Sequence, residues 1–425
     1  MKKYKSLILF LLISYSVFAQ TEIILNVSSE KRQTLEGYGA SITDHVDNIP
    51  ESTRKIMSDM VFKDMNLTTL RMWKWNDAEF WRHYVDSKVI EFAKQGGVNT
   101  LLLAPGGKNP PKDMNTYVDD ISKLTNRLKN EAGFQINVTG LANEPDTWTA
   151  EDIASGLVKM RESLNASGNQ SVKIVAPESS NCDDHWYNIM IDVKDKYPTA
   201  WNKVDYIASH SYGMSALENW AQLSFDSKKN YWMTEASSNG LDSETNDNEA
   251  ASIASRFLND MNHGVTNWIY FIAYSSDTED SMTKFVVYDI PSNKIIVFCK
   301  YYYMKQLFTT FHKGAIFRKV LANKNNEMNQ TYKSKSPYNA AVAQNADGSW
   351  SLSVVNGTGI HDINPLPYKF TFNVPELAKY ANLKFTVLRT NVTKKIVNEG
   401  KLIMKKGRIS ITVNPKELVT LTTIK

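Results

Sequence analysis

The chain has 425 residues, too many for one small domain and enough for a large catalytic-sized domain with an accessory one. Its charge is nearly balanced, 49 Lys and Arg against 45 Asp and Glu, which excludes a basic face built to hold nucleic acid or an anionic membrane and suits a neutral substrate. Its 2 cysteines, Cys182 and Cys299, lie far apart and exclude both a disulfide framework and a zinc site.

The first five residues, Met1-Lys2-Lys3-Tyr4-Lys5, are basic, and an apolar run follows from Leu7 to Val17. With small residues before the cut, residues 1–19 read as a signal peptide cleaved after Ala19. The run is too short to span a bilayer comfortably, so a single membrane anchor is the weaker alternative. Cleavage removes Lys2, Lys3 and Lys5 and takes the net charge from +4 to +1. A secreted or periplasmic protein is expected, with no membrane contact after cleavage. No cysteine lies near the cut, which argues against a lipid anchor there. Export permits one disulfide, but two free buried thiols are the expected state of Cys182 and Cys299. The Asn-x-Ser/Thr triplets at Asn26, Asn66 and Asn356 read as chance matches beside a bacterial-style signal.

Residues 20–34 contain an alternating segment, Glu22–Ser28, placed to join a later sheet. From 35 to 311, strand-like and helix-like segments alternate. The predicted strands are Glu36–Ser41, Thr69–Trp73, Thr100–Ala104, Gln135–Ala142, Val172–Ala176, Val204–His210, Tyr231–Thr234 and Thr266–Ile272. Several are near-continuous apolar runs, as in parallel strands covered on both faces. Eight strands in this rhythm predict an α/β fold of (β/α)8 TIM-barrel type.

Between them lie amphipathic helices. Met114, Tyr117, Val118, Ile121, Leu124 and Leu128 form one stripe at helical spacing. Thr149 and Asp152 form a capping pair before a second stripe that begins at Ile153. Ala250, Ile253, Ala254, Phe257, Leu258 and Met261 form a third, stopped by Gly264.

From 312 to 425 the pattern becomes short alternating runs: Ala340–Gln344, Trp350–Val355, Lys369–Val374, Phe385–Arg389, Ile409–Val413 and Val419–Ile424. Asp347-Gly348 and Lys406-Gly407 mark tight hairpin turns. A C-terminal antiparallel β-sandwich without helix is predicted, taking the N-terminal strand and packed rigidly on the barrel, since no low-complexity linker intervenes.

Barrel enzymes carry their catalysts at the C-terminal ends of strands. Glu144 follows the fourth predicted strand and Glu235 ends the seventh, so the two carboxyls can converge over the mouth. Paired carboxyls are the minimal machinery for cleaving a glycosidic bond, one as proton donor and the other as nucleophile or base. The bland alternative is two solvated loop carboxylates.

The motif Asn143-Glu144-Pro145, with a glutamate ending the seventh strand, resembles the clan A retaining glycoside hydrolases. Further motifs narrow the resemblance to glycoside hydrolase family 30. They are Gln33-Thr34-Leu35-Glu36-Gly37-Tyr38-Gly39-Ala40, Asn109-Pro110-Pro111-Lys112-Asp113-Met114, Val175-Ala176-Pro177-Glu178-Ser179, His210-Ser211-Tyr212-Gly213 and Trp232-Met233-Thr234-Glu235. A run from Tyr301-Tyr302-Tyr303-Met304-Lys305-Gln306-Leu307 to Lys313-Gly314-Ala315 resembles that family's crossing into its sandwich.

The resemblance implies Glu144 as acid/base, Glu235 as nucleophile and Asn143 as a hydrogen-bond partner of the sugar 2-hydroxyl. A retaining mechanism follows, with the carboxyls about 5–5.5 Å apart. The acid needs a raised pKa, which repulsion from the nucleophile is expected to supply. His210 and Tyr212 end strand six, and one of them is expected to hold Glu235 ionised. A structural histidine is the plain alternative. Arg71 ends strand two, where clan A members hold an arginine near the nucleophile; a rim salt bridge is the other reading.

The 10 tryptophans suit a sugar binder, since sugar faces stack on aromatic rings. Trp73, Trp75, Trp148, Trp186, Trp268 and Tyr274 fall at or just beyond strand ends, with Trp148 foremost. For each, packing between helix and barrel is the alternative.

Three stretches depart from the family. Phe271-Ile272-Ala273-Tyr274-Ser275 lacks the arginine pair with which the glucuronoxylanase branch grips glucuronate. That branch's aromatic insertion after Asn-Glu-Pro is absent, and Ala104–Pro111 lacks the usual tryptophan.

The reading is an exported retaining β-glycoside hydrolase without metal or other cofactor. It is expected to be a monomer and endo-acting on a β-linked oligo- or polysaccharide: xylan, a β-1,6-glucan or a β-1,6-galactan. A non-catalytic sugar-binding protein and a transglycosylase are the alternatives.

Overall fold

A computed structural model describes residues 21–424 except 44, 215–216, 238–244, 246, 277–282, 324–325, 329–336 and 358–365. The predicted signal segment lies outside the described residues.

Eight parallel strands close into a barrel: β1 (Gly37–Ile42), β2 (Thr69–Lys74), β3 (Thr100–Pro105), β4 (Val138–Gly140), β5 (Lys173–Ser179), β6 (Tyr206–His210), β7 (Tyr231–Ala236) and β8 (Val265–Tyr270). Closure runs through β8 and β1, from Gly37 opposite Asn267 to Ala40 opposite Tyr270. All eight predicted strands are present, with shifted ends. The fourth keeps three residues of its predicted span because the chain leaves the ladder early. Beyond it, the Asn143 N–H turns to the Pro105 carbonyl at 2.8 Å and the Glu144 N–H to the Glu178 carbonyl at 3.0 Å.

Strand alternation sorts the side chains into two layers. Leu102, Val138, Val175, Ala208, Trp232 and Ile269, from six successive strands, form one buried cluster inside the barrel. Their chain neighbours Leu101, Leu103, Ile174, Ala176, Ile207, Met233, Trp268 and Tyr270 join the larger core between strands and helices.

That outer layer is closed by amphipathic helices. The helix Met114–Ala132 buries Val118, Ile121, Leu124 and Leu128. Its first turn is capped by Asp113, and Gly133 ends it at φ +74°, where a side chain would be strained. Thr149 and Asp152 form the predicted capping box on Ala150–Ala166. The helix Asn248–Asn262 ends just before Gly264, at φ +89°.

The C-terminal strands form a sandwich. One sheet orders Val320–Ala322, Glu22–Val27, Tyr368–Asn373 and Arg408–Val413. The other orders Ile316–Arg318, Tyr338–Gln344, Trp350–Asn356, Leu418–Thr422, Leu383–Thr390 and Val397–Met404. The N-terminal strand enters the first sheet as expected, parallel to Tyr368–Asn373. Lys406 and Gly407 both have positive φ, the geometry of a two-residue hairpin turn.

Two features depart from expectation. A 3-10 turn, Pro375–Leu377, interrupts the helix-free pattern. An antiparallel hairpin, Val286–Asp289 with Lys294–Val297, stands between β8 and the last barrel helix, Cys299–Thr310. Barrel and sandwich are joined by side-chain hydrogen bonds, Asn339 to Ser255 at 2.8 Å and Gln306 to Thr420 at 2.9 Å. Cys182 and Cys299 are buried free thiols. No helix among the described residues is long and apolar enough to cross a membrane.

Candidate active site

Glu144 and Glu235 meet over the C-terminal end of the barrel. One oxygen of each, together with a ring nitrogen of His210, falls within 4.8 Å of the others. Two local irregularities bring them there. Glu144 has φ +50°, a conformation sparsely populated outside glycine and concentrated at functional sites. Between β6 and β7 a register shift sets His210 opposite Glu235, as bulges do where a side chain must be re-aimed.

Glu235 is almost fully buried, and both its oxygens are occupied. Arg71 donates to Oε2 at 2.8 Å, and the Tyr212 hydroxyl donates to Oε1 at 2.8 Å. Burial first, then the Glu235 charge, holds the Tyr212 phenol well above its ordinary pKa, so it stays a donor. Arg71, on β2 between the outward Leu70 and Met72, is fully buried and is not a rim salt bridge. Burial alone would lower its pKa; Glu178 and Glu235 outweigh that and raise it. Its other end donates to Asn143 Oδ1 at 2.6 Å. Because Arg only donates, this contact leaves the Asn143 amide as a donor for another group.

Glu144 is less enclosed, with its side chain 18% exposed, and takes a contact from His210 Nδ1 at 3.1 Å. His210 stands farther from Glu235, at 3.9 Å. Of the two residues expected to hold Glu235, Tyr212 therefore does so, and His210 serves Glu144. The expected direction of the Glu144 shift is reversed. Burial pushes its pKa up, but the hydrogen bond and charge of His210, then Lys108 and Arg71, bring it below the ordinary value. The physical reason is that three cationic or donating neighbours, His210, Lys108 and Arg71, outweigh burial, and repulsion from Glu235 is not among the leading causes.

One member of the site, Glu178, stands in a motif that by itself assigns it no role. Glu178 ends β5 fully buried, at φ +58°, with Oε1 at 3.4 Å from Arg71 Nε. Its backbone carbonyl also fixes Glu144. Burial raises its pKa, against the pull of Arg71. Gly140 makes room for it, since a Cβ there would lie 1.9 Å from Glu178 Oε2. A carboxylate at the end of an apolar strand, paired with a glycine on the adjacent one, was the available signal.

Four predicted sugar platforms are corrected. Trp268 lies in the outer layer, its indole donating to Asp260 at 2.8 Å, because the inward position is taken by its neighbour Ile269. Tyr274 is fully buried and hydrogen-bonded to Ser58 at 2.6 Å. Trp148 is buried too. Its indole donates to the Gly107 carbonyl at 2.9 Å, tying the Ala104–Pro111 loop to the Asn143-Glu144-Pro145 turn. Trp186 is also buried. Trp73 does reach the site, half-buried, with Arg71 5.6 Å from its ring centre.

Glu144, His210 and Glu235 are close enough for a shared cation. The donors already placed on both Glu235 oxygens fit hydrogen-bonded acid–base chemistry better than metal ligation.

No protein-family model and no curated protein matches the chain by sequence. Solved structures do match. A glycoside hydrolase family 30 subfamily 8 xylanase from Clostridium acetobutylicum aligns over 94% of this chain and 99% of its own, with TM-score 0.70 and 18% identity. Xylanase C from Talaromyces cellulolyticus, of the same family, aligns over 95% and 100%, with TM-score 0.71 and 14% identity. An endo-β-1,6-glucanase aligns over 95% and 94%, with TM-score 0.63 and 13% identity. The chain has the family 30 fold, a TIM barrel with an attached β-sandwich.

Proposed function

We propose that the protein is an exported, retaining β-glycoside hydrolase that cleaves a β-linked polysaccharide internally by double displacement. The observation that carries this reading is the meeting of Glu144 and Glu235 within 4.8 Å at facing strand ends, each held by a different set of partners. So close an approach of one oxygen from each supports a nucleophile next to the anomeric carbon over the intervening water of an inverting enzyme.

In the first step Glu235 attacks the anomeric carbon while Glu144 donates its proton to the leaving oxygen. Arg71 and Tyr212, each donating to one oxygen, keep Glu235 aimed. The free Asn143 amide is set to donate to a sugar hydroxyl. Substrate that covers Glu144 adds to the burial that raises its pKa and loads the proton. In the second step Glu144 takes a proton from water, which attacks the glycosyl ester and releases Glu235. The two Glu235 donors then return to a full carboxylate.

Xylan, β-1,6-glucan and β-1,6-galactan remain the proposed substrates. The stretch 271–276 contains no arginine, so no arginine pair there grips an acidic side group. The proposed domain division is a signal peptide at 1–19, a joining strand at 20–34, the barrel at 35–311 and the sandwich at 312–425, in a monomeric exported protein.

The test uses β-xylan, β-1,6-glucan, β-1,6-galactan and aryl β-glycosides on wild type, Glu144→Gln and Glu235→Gln. Glu235→Gln is expected to be inactive on all of them. Glu144→Gln should keep the first step on aryl glycosides whose leaving group needs no proton, seen as a burst of released aglycone, and then stall at the glycosyl ester, for which it lacks the base. Hydrolysis surviving in Glu235→Gln overturns the assignment, and an inverted anomeric product overturns the retaining mechanism.

A further inference from the structure

We propose that Trp75 is the platform of a distal sugar subsite that binds a neutral, hydroxyl-bearing ring of the substrate chain; this rests on the glycosidase reading above. Strand alternation places Arg71 and Trp73 on the same face of β2, and Trp75 continues that spacing just past the strand end. Each step advances about 6.6 Å along a strand. The sequence Arg-x-Trp-x-Trp thus lays a track from the nucleophile outward. Arg71 grips Glu235, its guanidinium lies 5.6 Å from the Trp73 ring centre, and the Trp73 and Trp75 rings are 5.6 Å apart.

Trp75 opens into a cavity of about 560 Å³ between the loops that follow β1 and β2, and it is 43% exposed. The buried His83 closes one side with its ring edge-on at 6.2 Å. An isolated exposed indole needs no explanation. This one shares its cavity with Asp47, Asn48, Glu79 and Arg82, polar groups suited to ring hydroxyls. An apolar ring bordered by hydrogen-bonding side chains is the lining a sugar requires.

Charge selects the class of sugar. Asp47 meets Arg82 Nε at 3.3 Å and His83 Nδ1 at 3.4 Å, so the arginine is already paired. Glu79, which accepts from Asn76 at 2.8 Å, adds a second carboxylate. Two carboxylates against one paired arginine repel a uronate and accept a neutral ring.

The test measures kcat/KM for wild type, Trp75→Ala and Trp75→Tyr on an aryl β-glycoside of a single sugar. It repeats this on xylo-, β-1,6-gluco- and β-1,6-galacto-oligosaccharides from disaccharide to hexasaccharide, with and without a uronate branch for the xylo-series. Trp75→Ala is expected to lose about ten- to a hundred-fold on long substrates only, with Trp75→Tyr restoring most of it. Equal activity of wild type and Trp75→Ala at every length overturns the subsite while leaving the glycosidase reading intact. A loss that includes the single-sugar glycoside overturns it too, as does a Trp75-dependent preference for the uronate branch. No turnover of any probe by wild type overturns the glycosidase reading, and the subsite with it.

Discussion

At the base of the barrel, Glu36 accepts the Trp232 indole N–H at 2.7 Å and the Thr266 hydroxyl at 2.8 Å, beside a cavity of about 530 Å³. At the mouth, three carboxylates, an arginine and a histidine share one cluster. Both ends are polar, but only the mouth gathers groups whose charges compete. At the base a single carboxylate sits among neutral donors, an arrangement that stabilises. At the mouth Arg71 is stretched between Glu178, Glu235 and Asn143, and Glu144 leans on His210. Such perturbed clusters in clefts are where chemistry resides. The contrast is one of satisfied against competing polar groups.

The largest expected break between the two ends is in activity. Glu235→Gln should lower kcat by roughly ten-thousand-fold or more, whereas Glu36→Gln should leave kcat unchanged and lower stability by about 1–3 kcal/mol. Steady-state kinetics and urea unfolding of both variants check this. An activity loss in Glu36→Gln would erase the distinction.

Glu178→Gln comes next. The amide keeps the shape that Gly140 accommodates but removes one counter-charge of Arg71. Arg71 then has Glu235 as its main anion, which shifts the nucleophile and makes it less free to attack. A fall in kcat of about a hundred-fold with KM little changed is expected. A drop in thermal stability with normal kcat would show that Glu178 only fills space.

Trp268→Ala separates the outer layer from the mouth. Its indole is fully buried and bonded to Asp260. The cost should be about 3–5 kcal/mol of stability, with KM for any substrate unchanged in the folded fraction. A raised KM would return Trp268 to the sugar site.

Smaller effects appear in pH profiles. His210 lowers the Glu144 pKa, so His210→Gln should raise it and keep the proton donor loaded to higher pH. The basic limb of kcat/KM should therefore move upward, and a downward move would contradict the assigned pairing. Far from the site, His263 and Lys319 outweigh burial and bring Glu327 down from 4.5 to about 2. A depressed carboxyl contributes stability above its unfolded pKa and loses it as pH falls through the folded one. The loss here lies between 4.5 and about 2. Glu327→Gln should flatten that stretch of the stability curve without touching activity.

The sequence by itself determined the eight barrel strands, the sandwich with its N-terminal strand, and the two glutamates. Those follow from local signals: apolar runs, helical stripes, a capping box at Thr149 and Asp152, and motif frames at strand ends. It also holds the inward period that separates Arg71 and Trp73 from Trp268. Only the tertiary structure decided which partner serves which carboxylate. The register shift at His210, the left-handed turn at Glu144 and the glycine space at Gly140 depend on neighbouring strands that no local pattern encodes. The direction of the Glu144 pKa was set the same way, because electrostatics sums over groups far apart in the chain and close in space.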